Sequence, residues 1–157
     1  MKKLFSYTFI VAAFFFSCAV LHAAQPKTDV YIGITSVGNK RLPAIGMPAF
    51  RYTDDKAQSA AVQVHDVMRA DLLFARYFDV TEDGPAFDPQ NLSQSLTQWG
   101  KARASYLLAG DISYAAPYYT IKIYVYDIST RSPVFAKAFK GTESSLRRLA
   151  HIASDQI

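Results

Sequence analysis

The spacing of hydrophobic positions changes several times along this chain, and each change marks an element. A nearly unbroken apolar run from Leu4 to Leu21 stands behind Lys2 and Lys3 and ahead of Ala23, Ala24, Gln25 and Pro26. Val30, Ile32 and Ile34 then alternate with Tyr31 and Gly33, which predicts a strand over Asp29 to Ser36. Gly38-Asn39-Lys40 supplies turn residues. Leu42 to Phe50 is apolar but interrupted by Pro43, Gly46 and Pro48. A proline cannot donate to a strand ladder, so this stretch reads as an edge strand or an extended segment. From Asp54 or Asp55 the period lengthens. Ala57, Ala60, Ala61, Val64, Val67, Met68 and Leu72 fall at three- and four-residue steps, predicting an amphipathic helix to about Phe74. Gln58, Gln63, Asp66 and Arg69 take its polar side.

Tyr77 to Thr81 reads as a short strand with Phe78 and Val80 inward, ended by Glu82-Asp83-Gly84-Pro85. Leu92, Leu96 and Trp99 predict a short helix to about Ala102. Tyr106 to Ile112 is a buried strand, and Ala115-Ala116-Pro117 a turn. In Tyr118 to Ile128, Ile121, Ile123 and Val125 alternate with Lys122, Tyr124 and Tyr126, as in a half-buried antiparallel strand. Ser129-Thr130-Arg131-Ser132 closes a hairpin onto Pro133 to Lys140. Gly141-Thr142 leads into a helix with Leu146, Leu149, Ala150, Ala153 and Ile157 on one face. The order β-β-α-β-α-β-β-β-α predicts an α/β fold of the α+β-like kind. Its mixed β-sheet has a C-terminal three-strand meander, with two to three helices packed on one face. The last helix has neither Gly nor Pro as a stop, and its periodicity is still running at Ile157, as in a chain cut within a longer protein.

Charge, apolar run and small-residue exit, in that order, make residues 1–24 a secretory signal peptide and residues 25–157 one exported domain. Two rivals share the segment: an uncleaved bilayer anchor, and lipid attachment at Cys18. Polar Ser6, Tyr7, Thr8 and Ser17 weaken the anchor, and bulky Phe15 and Phe16 weaken the lipid site. Cleavage falls near Ala23 to Gln25, which places the mature domain in the periplasm with only indirect membrane contact. Removing Lys2 and Lys3 takes Lys plus Arg from 17 to 15 against 13 acids, so the net charge falls from +4 to +2. With basic residues scattered, nucleic acid is not a partner class. The lone Cys18 lies in the leader, so the mature chain must be held by its apolar core, without a disulfide or thiolate metal site.

Reactive constellations are not evident. The glycines are spaced singly, which excludes a phosphate-cradling loop. His65 beside Asp66, and His151 four residues before Asp155, read as solvated histidines with carboxylate neighbours, since two such groups lack a third metal ligand. Ser144-Ser145 reads as helix capping, Glu82-Asp83 as a solvated turn and Asp54-Asp55 as a helix start. Tyr114, Tyr118, Tyr119, Tyr124 and Tyr126 read as cross-strand packing, with a carbohydrate-stacking surface as the alternative. The chain is expected to be no enzyme and to need no cofactor.

Lys140 to Ile157 resembles the end of the amino-terminal domain of the TolB family, the periplasmic component of the Tol–Pal envelope system. Leu146, Arg147, Ala150, His151, Ser154, Asp155 and Ile157 carry the likeness. Ile45 to Phe50, Asp71-Leu72 with Phe78, Trp99 to Gly110, and Val125-Tyr126-Asp127 match further family segments in order. Lys101 to Ser105 departs from the family's short Gly-Ala-Asp passage. The resemblance implies a non-catalytic module supporting outer-membrane integrity and constriction at division. It also implies docking of a TolA-like inner-membrane protein by the segment after the leader, here Lys27, Thr28, Asp29, Val30, Tyr31, Ile32 and Ile34. Such a strand can add to a partner's sheet edge, or simply form an internal strand. In that family a β-propeller follows and binds the lipoprotein Pal, so Pal is not assigned to these residues. A stand-alone envelope assembly or secretion domain, like those of curli and flagellar lipoproteins, is the alternative.

Overall fold

Among the described residues, six strands form one mixed sheet. The computed structural model describes residues 41–157; the leader, the strand over Asp29 to Ser36 and the turn after it lie outside the described residues. The strands are β1 (Ala44–Gly46), β2 (Arg51–Tyr52), β3 (Asp79–Thr81), β4 (Tyr106–Ala115), β5 (Tyr118–Asp127) and β6 (Ser132–Gly141). The helices are α1 (Asp55–Ala75), α2 (Leu92–Lys101) and α3 (Leu146–Ser154). Strand order is β3-β1-β4-β5-β6, with β2 also on β4. β1 runs parallel to both β3 and β4, while β4, β5 and β6 form the antiparallel meander. The α/β class and the meander are as the periodicity predicts.

The edge-strand reading of Leu42 to Phe50 is corrected. β1 is interior, paired on both sides. The prolines do not prevent this because they flank the pairing. Pro43 contributes only its carbonyl, which accepts from Asp79 N at 3.1 Å, and Met47 N donates to Thr81 O at 2.8 Å just before Pro48. Between β1 and β2 the chain takes five steps, Gly46 to Arg51, where β4 takes four, Leu107 to Asp111. Pro48 sits in that one-residue bulge, where no ladder donor is required.

α1 and α3 share one face of the sheet and α2 lies on the other. On the first face Ala57, Ala60, Ala61, Val64, Met68 and Leu72 meet Leu108, Ile112, Ile121 and Ile123, with Leu146, Leu149, Ala150 and Ala153 completing the layer. On the second, Leu96 and Trp99 cover Leu107 and Ala109, beside Phe87. Topology explains the split. The crossover from β1 to β3 moves one way across the sheet and that from β3 to β4 moves back, so right-handed connections place α1 and α2 on opposite faces.

Local chemistry sets the ends of the helices. Asp54 is extended, and its Oδ1 accepts from Ala57 N at 3.0 Å, capping α1. Its Oδ2 accepts from Tyr114 N of β4 at 3.3 Å, which ties the helix start to the sheet. Arg76 closes α1 in the left-handed region, φ 57°, donating to Leu72 O. α3 ends at Ser154, three residues before the periodicity runs out, in turns that bond Gln156 N to Ala153 O and Ile157 N to Ser154 O. Among the described residues, no helix is long and apolar enough to cross a membrane.

Candidate interaction surface

Lys27, Thr28, Asp29, Val30, Tyr31, Ile32 and Ile34 lie outside the described residues, so the surface is built from residues 41–157. The two histidines depart from the solvated reading in different ways. His65 is buried, its ring edge-on to Phe50 at 5.0 Å, with Nε2 3.5 Å from Met47 O and 3.7 Å from Glu82. The bulge carrying Met47 and Phe50 folds down over α1 and covers it, which the helix periodicity alone does not reveal. His151 pairs not with Asp155 but with Asp71 of α1, Nδ1 to Oδ2 2.8 Å, and joins the two helices of the first face. No group of three His, Cys, Asp or Glu residues that could hold a metal ion occurs among the described residues.

Two polar readings also shift. Glu82 is not merely solvated, since its carboxylate accepts from Arg69 Nε at 2.6 Å. Ser145 does not cap α3 with its hydroxyl, which donates instead to Thr142 O at 2.7 Å. The cross-strand packing reading holds for Tyr114 and Tyr119, register partners with ring centroids 4.7 Å apart, while Tyr124 and Tyr126 stack along one strand at 6.2 Å.

The exposed apolar surface gathers at one end of the first face. Leu72 is the last residue of the buried stripe of α1, and the helix stops one turn later. Leu73 and Phe74 therefore point away from the core, and left-handed Arg76 turns the chain so that Tyr77 stays outside while Phe78 tucks in. Phe74 is 89% exposed, Tyr77 74% and Leu73 43%. Val134, which lines the same hollow as Tyr77, is exposed as well, so four of the eight large hydrophobic side chains left in solvent among the described residues belong to this region. Such clustering marks an interaction surface, unlike isolated exposed residues.

Two hollows run beside this ridge. One, of about 450 Å³, is lined by Pro43, Tyr106, Val125, Val134 and Phe135 together with Asp127. The other, of about 390 Å³, lies between α1 and α3 and is lined by Asp71, Leu72, Ala75 and Asp155. Tyr77, Phe78 and Ile157 line both and form the wall between them. The Asp127 carboxyl is held below the usual carboxylate range by the Ser129 hydroxyl and the Thr130 N–H, so it is ionised throughout the neutral range. This arrangement offers apolar area with an acidic rim, suited to binding a chain segment. Sequence reasoning passed over these residues, though a signal was present: Leu72-Leu73-Phe74 is an apolar run that one stripe cannot bury.

The model for the TolB amino-terminal domain family matches residues 30–134. The crystal structure of TolB from Acinetobacter baumannii superposes with a TM-score of 0.59 at 16% identity, covering 74% of this chain and 27% of that one. The PelC dodecamer from Paraburkholderia phytofirmans gives a TM-score of 0.50 at 14% identity, covering 71% of this chain and 82% of that one. At these identities the structural likeness is one of fold. This chain spans only about a quarter of the length of the Acinetobacter protein.

Proposed function

The chain belongs to the TolB amino-terminal domain family, and from that premise we propose that it is a non-catalytic protein-interaction module of the Tol–Pal system. In this reading it is exported by the leader, works in the periplasm, and supports outer-membrane integrity and constriction at division. It docks a TolA-like inner-membrane protein through Lys27, Thr28, Asp29, Val30, Tyr31, Ile32 and Ile34, the alternating segment contributing backbone hydrogen bonds to a partner's sheet edge. The observation that carries the reading is the family match over residues 30–134. The apolar ridge supports the broader claim of an interaction module. The test is retention of TolA by the mature protein with and without residues 25–34. Loss on deletion is expected, and equal retention by both would sink the docking assignment.

The PelC likeness, which spans 82% of that chain, favours a second reading, a stand-alone envelope assembly domain that associates with its own copies. Sedimentation velocity on the mature chain separates the two, since only the second expects a ring-sized species.

A further inference from the structure

We propose that the outward face of α1 is a self-association surface, on which a second copy of this chain packs its own α1 antiparallel across a two-fold axis. The contact is centred on the middle of the helix and uses neither residues 27–34 nor the hollows beside Tyr77.

The line of residues opposite the buried side of α1 carries the argument. Val62, Asp66, Arg69 and Leu73 follow one another at steps of four, three and four, the spacing of a seam between two packed helices. A helix whose other side is buried in a core ordinarily keeps polar residues along the centre of its outer face. Here both ends of the line are aliphatic, with Val62 57% and Leu73 43% exposed. From either end the line reads apolar, charged, charged, apolar. Laid antiparallel on its own copy, it sets Val62 of one copy opposite Leu73 of the other, and Asp66 opposite Arg69. Each contact then occurs twice, as a two-fold interface requires. A parallel arrangement would instead oppose Asp66 to Asp66 and Arg69 to Arg69.

Shape and charge fit the same occupant. Val62 borders a dimple of about 140 Å³, lined also by Phe50, Tyr52, Gln58, Ala61 and His65. It has room for one aliphatic side chain, and Leu73 of the second copy arrives at that point. Val62 and Leu73 stand about 16 Å apart along the helix axis, at 1.5 Å per residue, so both dimples are filled at once. Asp66 is exposed at the centre of the line. Arg69 donates to Glu82 through Nε at 2.6 Å, which steadies the guanidinium and leaves its two terminal nitrogens for a second carboxylate. Because Glu82 already shares the charge of Arg69, the ion pairs between copies fix direction and register, while the aliphatic ends and the dimples supply most of the adhesion.

The probe is the purified mature chain itself, followed by sedimentation equilibrium over rising concentration. A dimer is expected, weakened about ten-fold or more by Val62→Asp or Leu73→Asp. Asp66→Lys alone and Arg69→Glu alone should each weaken it, because each sets like charges opposite one another. Mixed one to one, these two variants should dimerise again, since a doubly basic line then faces a doubly acidic one. Circular dichroism checks that each variant is folded. If Arg69→Glu unfolds beside Glu82, cysteine substitution decides the question. The chain carrying both Val62→Cys and Leu73→Cys should be joined into covalent dimers by a short bis-maleimide, and neither single variant should be. Four results overturn the proposal: a chain that stays monomeric at about 1 mM; a dimer that Val62→Asp and Leu73→Asp leave intact; folded charge variants that fail to dimerise on mixing; or covalent dimers of Val62→Cys alone, which would make the helices parallel. Dissociation by Phe74→Ser would also overturn it, because the contact would then lie on the ridge.

Discussion

The two faces of the sheet are packed by different devices. The first is covered by a wide layer in which many medium side chains share the work: alanines, valines and Met68 of α1, leucines and alanines of α3, and the isoleucines of β4 and β5. The second depends on one large ring. Trp99 of α2 is fully buried, and it lies against Gly46 of β1 and Gly84 after β3 so closely that a Cβ at either position would collide with the indole. A stripe of interchangeable residues tolerates change by small adjustments, while a ring set between two glycines leaves little room to adjust. The same sheet is therefore forgiving on one side and exacting on the other.

That contrast breaks most directly at Trp99. Trp99→Ala should cost about 3–5 kcal/mol in urea unfolding, since it empties most of the second core. Met68→Ala, equally buried on the first face, should cost about 3 kcal/mol, because α3 and the sheet can close in part around it. If Trp99→Ala cost less than about 1 kcal/mol, the second face would be a loose cover and not a core. Trp99→Phe sharpens the point. The indole Nε1 is buried without a hydrogen-bond acceptor among the described residues. Phenylalanine removes that unpaired donor along with some volume, so its cost should stay under about 2 kcal/mol.

These devices differ in how far the sequence shows them. The first face is legible, because Ala57 through Leu72 and Leu146 through Ala153 repeat at helical spacing and Ile121, Ile123 and Val125 alternate. The second is not. Nothing in the spacing of Leu92, Leu96 and Trp99 says which side of the sheet they cover; that depends on strand order, and strand order on pairing between segments far apart in the chain. Gly46 reads as an interruption within a proline-broken stretch, when it is the seat of the ring. The boundaries are obscured in another way. The left-handed positions that end α1, follow α2 and turn the β5–β6 hairpin are held by Arg76, Arg103 and Arg131, and no glycine among the described residues has a positive φ. Helix stops are usually sought as Gly or Asn, so arginines at these points hide the punctuation. The apolar ridge is legible only as an excess, one more turn of greasy residues than a single stripe can bury.

The helices of the two faces are also secured differently, and milder changes test this. α1 is fixed at its start by Asp54. Burial pushes the Asp54 carboxyl up, but hydrogen bonds from the Thr53 hydroxyl and the N–H groups of Ala57 and Tyr114 together outweigh it and hold it below the ordinary 3.8. A carboxyl lowered on folding contributes stability that is present above its unfolded value and is lost as the pH falls through the folded value. The urea midpoint of the native chain should therefore exceed that of Asp54→Asn near neutrality, with the gap closing below pH 3.8. A gap unchanged at pH 3 would mean that the charge has no part in the cap. α2 has no side-chain cap at its start and, like α1, is followed by an arginine in the left-handed region. Arg103, at φ 67°, donates to Gly100 O and occupies a region that glycine adopts freely. Arg103→Gly should raise stability by about 1 kcal/mol, and this is the passage where the family's glycine is absent.

The smallest effect is expected at the largest exposed side chain. Phe74 is 89% in solvent, so folding takes almost none of its surface from water, and Phe74→Ser should change the unfolding free energy by no more than about 0.5 kcal/mol. Leu72, two residues earlier and 3% exposed, should lose about 2–5 kcal/mol on truncation to alanine. Opposite faces of one helical turn would then separate the residues that hold the fold from those that serve something outside it. The comparison is informative because a bare phenylalanine brings no folding advantage and raises the risk of self-association. A drop of more than about 2 kcal/mol for Phe74→Ser, read from the same urea titration, would mean that the chain itself covers this ring, and the ridge would cease to be a surface for partners.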